Sequence, residues 1–257
     1  MRADYHIVKS PNVGEIEKLD HYWTDKWKSI GSRRRPLWRI KAGPEYRFFL
    51  KEAPEPNAQV RVLDGGCGLG EWSMLLKKAG YKPYGLDICE EVIASLREEF
   101  TDINFLCGDI RQTSFENAFF DLYISWGVFE HFENGLQDSF NEAYRVLKPG
   151  GKLIVTVPFY SQRLKDVETD DNLPEPKDRE FYQWRLEINE LVEEFKKGGF
   201  DCSEATPIYR SEGLRRHLHH SYGMPYNRIT HVLTTVFAPF VSAEYFAHML
   251  IAVGVKK

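Results

Sequence analysis

Val60-Arg61-Val62-Leu63-Asp64-Gly65-Gly66-Cys67-Gly68-Leu69-Gly70 is the stretch that decides the fold of this chain. A short β-branched run ends in an acid, Asp64, and breaks at once into glycines. Trp72, Leu75, Leu76 and Ala79 then fall on one face of a helical period. Strand, glycine turn and helix in that order form the first unit of an open parallel α/β sheet, whose ligands sit beyond the strands' carboxyl ends. Glycine lets the backbone turn sharply and approach a ligand with no Cβ between them. The helix that follows offers unpaired N–H groups and a positive dipole end, which suit a carboxylate or a phosphate.

The spacing of the glycines narrows the ligand. A dinucleotide fingerprint needs them at i, i+2 and i+5. With Gly66 and Gly68 as the first two, the third position is Glu71, whose carboxylate would repel a pyrophosphate. A Walker-type loop fails too, because no Gly-Lys-Ser/Thr follows. What remains, Asp64-x-Gly66-x-Gly68-x-Gly70, resembles the cofactor loop of class I S-adenosylmethionine-dependent methyltransferases. The resemblance implies a Rossmann-like, doubly wound α/β sheet of seven strands, mostly parallel with an antiparallel last strand. It also implies S-adenosylmethionine as cofactor.

Downstream residues extend the pattern. Pro83–Asp87 reads as a second strand ending in an acid, at about the distance where a ribose-binding carboxylate is expected. An ionised Asp87 can accept from both hydroxyls of a vicinal diol. Ile88 would then lie as an apolar plate against adenine. A third strand, Ile103–Cys107, leads to Asp109 and Ile110; in the family, these positions meet the adenine amine and a ring nitrogen. The fourth, Phe120–Ser125, runs into Trp126-Gly127-Val128-Phe129-Glu130-His131. The family often carries a Glu-His pair here, and small Ser125 would let the backbone reach the cofactor's ammonium group. Arg145–Val157, a helix end, a Lys-Pro-Gly-Gly turn and an apolar fifth strand, resembles the family again. Phe200–Ile208 reads as the sixth strand and Ala247–Val255 as the last.

Composition sets outer limits. At 257 residues and 30.0 kDa, one α/β domain with additions is expected. A net charge of −4 gives no footprint for nucleic acid. Four cysteines without a C-x-x-C pair suit a reduced, cytoplasmic chain better than a disulfide framework or a zinc site. The polar N-terminus reads as no signal peptide, and no apolar run has the length of a membrane span.

Residues 1–57 read as an N-terminal helical cap, with helices over Glu15–Ile30 and Glu45–Glu52, before a methyltransferase domain at 58–257. Trp23 and Trp27 stand one helical turn apart. They resemble the segment that covers the cofactor in thiopurine-type methyltransferases; the alternative is that both indoles anchor the helix to the core. Arg33–Arg35 reads as a solvated basic turn, with contact to an anionic substrate as the other reading. The stretch 158–185, rich in charge, proline and aromatics, reads as a lid over a small-molecule acceptor. An insertion at 209–246 holds Arg215, Arg216, His217, His219 and His220, then an apolar Ile229–Val241. The apolar part either walls the substrate pocket, forms an oligomer contact or makes a peripheral membrane contact.

The reaction implied by the resemblance is in-line transfer of a sulfonium methyl to an oxygen or nitrogen nucleophile. An oxygen acceptor must also lose a proton, and His131 is the candidate base, with the histidines of the insertion as competitors. Two other classes stay open: a non-catalytic module that binds S-adenosylmethionine or a partner, and a nicotinamide-dependent oxidoreductase. The second needs the glycine that Glu71 replaces.

Overall fold

The computed structural model describes residues 1–6, 13–31, 33–167 and 180–257. The N-terminal part holds a strand, β1 (Arg2–His6), and three helices: α1 (Glu15–Ser29), α2 (Leu37–Ala42) and α3 (Pro44–Glu52). Strands and helices then alternate as β2 (Arg61–Gly65), α4 (Glu71–Ala79), β3 (Lys82–Asp87), α5 (Glu90–Glu99), β4 (Asn104–Cys107) and β5 (Phe120–Trp126). A 3-10 turn at Phe129–His131 leads to α6 (Gln137–Val146), β6 (Leu147–Pro158), α7 (Gln162–Val167) and β7 (Glu180–Arg185). The chain continues through α8 (Ile188–Lys197), β8 (Phe200–Asp201) and β9 (Ala205–Ile208). It closes with α9 (Arg210–Tyr222), α10 (Arg228–Phe237), α11 (Ala243–Phe246) and β10 (Met249–Lys256).

The main sheet runs β4-β3-β2-β5-β6-β10-β8, with β9 also paired to β10. Its first five strands are parallel, and β10 is antiparallel to β6, β8 and β9. This is the mixed, doubly wound sheet of a Rossmann-like fold. The order reverses at β2, which sends the chain to β3 on one side while β5 takes the other. The loops after β2 and β5 therefore diverge and leave a crevice at the strands' carboxyl ends.

Burial on both faces explains the unbroken apolar strands. Val62, Leu63, Leu122, Tyr123, Ile124, Leu153, Ile154 and Val155 are all fully buried. One face packs on Phe129, Phe140 and Phe195, the other on Ile40, Phe49, Trp72 and Leu76. In α6, Phe140, Ala143 and Val146 supply the buried stripe at helical spacing.

Several elements differ from the sequence reading. The expected sixth strand is broken into β8 and β9. The Lys-Pro-Gly-Gly segment lies inside β6, where Gly150 at φ +75° permits a bulge opposite Phe120 and Leu122. The 158–185 stretch begins as a helix and ends as a strand: β7 pairs antiparallel with β1 in a separate two-stranded sheet. Its middle, 168–179, the centre of the expected lid, lies outside the described residues. In the insertion, α10 turns Thr230 and Thr234 inward, while Ile229, Val232, Val236 and Phe237 face outward and line no part of the cleft described below. No helix among the described residues is long and apolar enough to cross a membrane.

Candidate active site

A cleft open to solvent on one side sits at the reversal point. Trp23, Trp27, Asp64, Gly66, Gly68, Asp87, Ile88, Asp109, Ile110 and His131 all line it. Gly70 and Ser125 do not. Gly70 sits at φ +75° as the N-cap of α4, with its face to Phe105, so its task is the turn. The Ser125 hydroxyl donates to the Gly65 carbonyl at 2.8 Å and ties β5 to the end of β2. The wall beside it is made by Trp126, Gly127 and Val128.

Two glycines leave room that nothing larger fits. Gly66 has φ +77°, and a Cβ there would stand 2.2 Å from Val128 Cγ2. Gly68 has φ +49°, and its Cβ would meet the Trp27 ring at 2.8 Å. The loop is held from below, since the Gly66 and Cys67 N–H groups both donate to the Leu86 carbonyl. Asp87 completes the brace: one oxygen accepts from the Gly68 N–H at 2.7 Å and the other from the Cys89 N–H at 3.1 Å. Each oxygen keeps a lone-pair direction for a ligand hydroxyl. Burial raises the Asp87 carboxyl above its ordinary value, against those backbone bonds. Asp64 accepts from the Ser73 hydroxyl at 2.7 Å, which locks α4 to β2, and burial pushes it up to about 7.

The opposite wall comes from α1, which buries none of its residues fully. Trp23 and Trp27 stack at 5.8 Å between centroids, and Trp23 meets His131 edge-on at 5.1 Å. The indoles thus serve the cleft wall rather than the core. The Trp27 and Trp126 ring N–H groups are both buried without a hydrogen-bond partner. Arg111 fixes the start of α1, donating to Glu15 at 2.7 Å and to Asp109 at 2.9 Å while stacking on Phe132.

The basic run is a solvated turn only in part: Arg33 and Arg35 are exposed, yet Arg34 and Arg35 both reach partners. Arg34 donates to the Leu69 carbonyl at 2.9 Å and pairs with Glu99; Arg35 binds Glu71 and lines the cleft. Both arginines clamp the N-terminal segment onto the glycine loop. A charge run looks the same in sequence whether it faces water or a partner, so no local signal marked it. Glu71 at the first turn of α4 sets a carboxylate at the helix end where a pyrophosphate would need to lie.

His131 is hydrogen-bonded at Nδ1, and its Nε2 lies 4.0 Å from Glu130 Oε1. Its Nδ1 lies 2.8 Å from the Tyr182 carbonyl, which can only accept, so Nδ1 carries a proton. In the neutral ring, Nε2 then bears the lone pair. His217, His219 and His220 lie along α9 and do not line the cleft. Sequence reasoning passed over Glu130. It is 2% exposed, its Oε2 has no hydrogen-bond partner, and burial pushes its carboxyl up to about 8.

Raised acids fix the sign of a pH effect. The folded chain keeps protons on Glu130 and Asp64 that the unfolded chain has lost near neutrality. Their contribution is full below the ordinary carboxyl range and is lost as pH rises through about 7 for Asp64 and about 8 for Glu130. Glu130→Gln should therefore flatten the fall in melting temperature between roughly pH 5 and 9. Identical slopes for variant and wild type would show that Glu130 ionises normally.

The crevice, the bracing acid on β3 and the glycine cradle define an α/β domain built for a nucleoside-bearing ligand. Residues 63–155 match the family model described as a methyltransferase domain. Over 153 residues the chain is 27% identical to a Mycolicibacterium smegmatis protein described as a probable S-adenosylmethionine-dependent methyltransferase, covering 60% of this chain and 56% of that one. It is 33% identical over 110 residues to the malonyl-[acyl-carrier protein] O-methyltransferase of Erwinia pyrifoliae, covering 41% and 40%. The match thus spans about half the length of such relatives. A Haloferax volcanii methyltransferase, solved with the Trm112 activator, superposes with a TM-score of 0.60 at 19% identity, over 94% of this chain and 97% of that one. That is a likeness of fold. Over residues 63–155 the chain thus matches a methyltransferase domain, set within a Rossmann-like sheet.

Proposed function

We propose that this chain is an enzyme that transfers a methyl group from S-adenosylmethionine to an oxygen or nitrogen atom of a small molecule. One observation carries the reading: two carboxylates, a glycine cradle, two unsatisfied indole N–H groups and His131 converge on a single cleft. These features fit the cofactor. Asp87 would take the ribose hydroxyls and Asp109 the adenine amine, with Ile88 and Ile110 against the ring. The cradle of Gly66 and Gly68 would admit the methionine end, beneath Trp23 and Trp27.

When bound, the cofactor supplies an electrophilic sulfonium methyl group. The protein's own work is to position and to dry the site. The indoles of α1 exclude water from the cleft. His131 lies between this cleft and a second one lined by Leu19, Tyr22, Trp23, Phe181 and Tyr182, where an acceptor would approach. With Nδ1 held by the Tyr182 carbonyl, Nε2 takes the proton of a hydroxyl acceptor.

The test is transfer itself. The purified chain, given S-adenosylmethionine labelled in its methyl group, should label a low-molecular-weight fraction of a cell extract. Label confined to protein or nucleic acid would overturn the small-molecule assignment. Absence of label in every fraction would favour a binding module.

A further inference from the structure

Beyond the cofactor cleft, a second group of polar side chains is buried without the partners burial demands. Arg163 in α7 is 8% exposed, and its Nε has no hydrogen-bond partner. Two residues earlier the Ser161 hydroxyl is fully buried and equally unpartnered. Nearby arginines are neutralised: Arg185 by Asp4 at 2.7 Å and Arg216 by Glu212 at 3.2 Å. Arg163 pairs with no carboxylate among the described residues. A guanidinium largely withdrawn from water, with a buried N–H left unpartnered and no counter-charge, is costly, so a fold keeps one only where something else returns that energy.

Backbone bonds place this group beside the transfer site. The Phe159 N–H donates to the His248 carbonyl at 3.0 Å, and the Tyr160 N–H to the Leu186 carbonyl at 2.9 Å. Ser161 and Arg163 thus sit over the meeting point of β6, β7 and β10. Met249, next after His248, comes within 3.8 Å of the Cβ position of Gly127, which lines the cofactor cleft. The surroundings are cationic. Burial and the charges of Arg185 and Arg216 lower Arg163, while burial and the same arginines push His248 down to about 3 and keep it neutral.

We propose that Arg163, with the Ser161 hydroxyl, forms a site for an anionic group, a phosphate or a carboxylate, carried by the methyl acceptor. The inference rests on the methyltransferase reading. Arginine suits the task because its planar fork binds either oxyanion through two parallel hydrogen bonds. A bound anion would supply the counter-charge that Arg163 lacks and would fix the acceptor at the far end from its reacting atom.

Thermal melting of the whole chain, saturated with S-adenosylhomocysteine, tests this at constant ionic strength. Inorganic phosphate and acetate are titrated separately against chloride. Wild type should be stabilised saturably by one of them, and which one names the group. Arg163→Met should weaken that response about tenfold to a hundredfold, the loss of charged hydrogen bonds. Its melting temperature without anion should equal or exceed wild type, because an unpaired buried charge has gone. Should Arg163→Met fail to fold, Arg163→Lys keeps the charge without the fork and should show a weakened response in a folded chain. Two results would overturn the proposal: no anion stabilises wild type beyond chloride, or the folded variant responds as wild type does. Calorimetry with S-adenosylhomocysteine separates the two levels. Unchanged affinity in Arg163→Met leaves the methyltransferase reading intact whatever the anions do.

Discussion

His131→Ala should lower turnover about a hundredfold or more while leaving cofactor affinity near wild type, the usual worth of a positioned general base. The geometry gives the reason. The ring is 6% exposed, clamped between Trp23 and Tyr182, and its Nδ1–H is spent on the Tyr182 carbonyl. In the neutral ring Nε2 is the nitrogen that can accept a proton, and the residue lines both clefts. With the acceptor found by the labelling experiment, the loss should shrink as pH approaches the acceptor's own pKa, where the nucleophile ionises unaided. A modest loss that does not vary with pH would reduce His131 to a packing residue. Full turnover at neutral pH would remove it from the mechanism.

Asp87→Ala should weaken cofactor binding by about 1.5–3 kcal/mol, roughly tenfold to more than a hundredfold, as expected for lost hydrogen bonds to a charged group. Two effects act together here. The variant removes the proposed acceptor of the ribose hydroxyls, and it also frees the Gly68 and Cys89 N–H groups that Asp87 now binds. Asp87→Asn separates them, because its side-chain oxygen still accepts one of those bonds without the charge. If Asp87→Ala binds the cofactor as wild type does, the carboxylate serves the loop alone and the ribose lies elsewhere.

The central half of the fold was legible because its signals are local. A strand that ends in glycines announces its turn, and strands buried on both faces announce themselves by nearly unbroken apolar runs, as in Leu153–Val157. The pairing of β1 with β7 was not legible. It joins short segments far apart in the chain, Arg2 to Arg185, and neither carries a pattern that names its partner. The partners of charged residues were hidden for the same reason. Nothing in Arg33–Arg35 tells that Arg35 meets Glu71, and nothing around Arg163 tells that it is buried. Glu130 was read only as the neighbour of a histidine; its unpartnered oxygen is buried only once β6 and β7 pack on the turn that carries it. Gly70 and Ser125 matched positions of a motif, yet the motif's geometry assigns one to a helix cap and the other to a strand tie.

Calorimetry of the purified chain tests the central claim most directly. S-adenosylmethionine and its demethylated product should both bind saturably, while NAD and NADP should not bind comparably, because Glu71 occupies the place of the third dinucleotide glycine. Tight nicotinamide binding, with no heat from S-adenosylmethionine, would contradict the account.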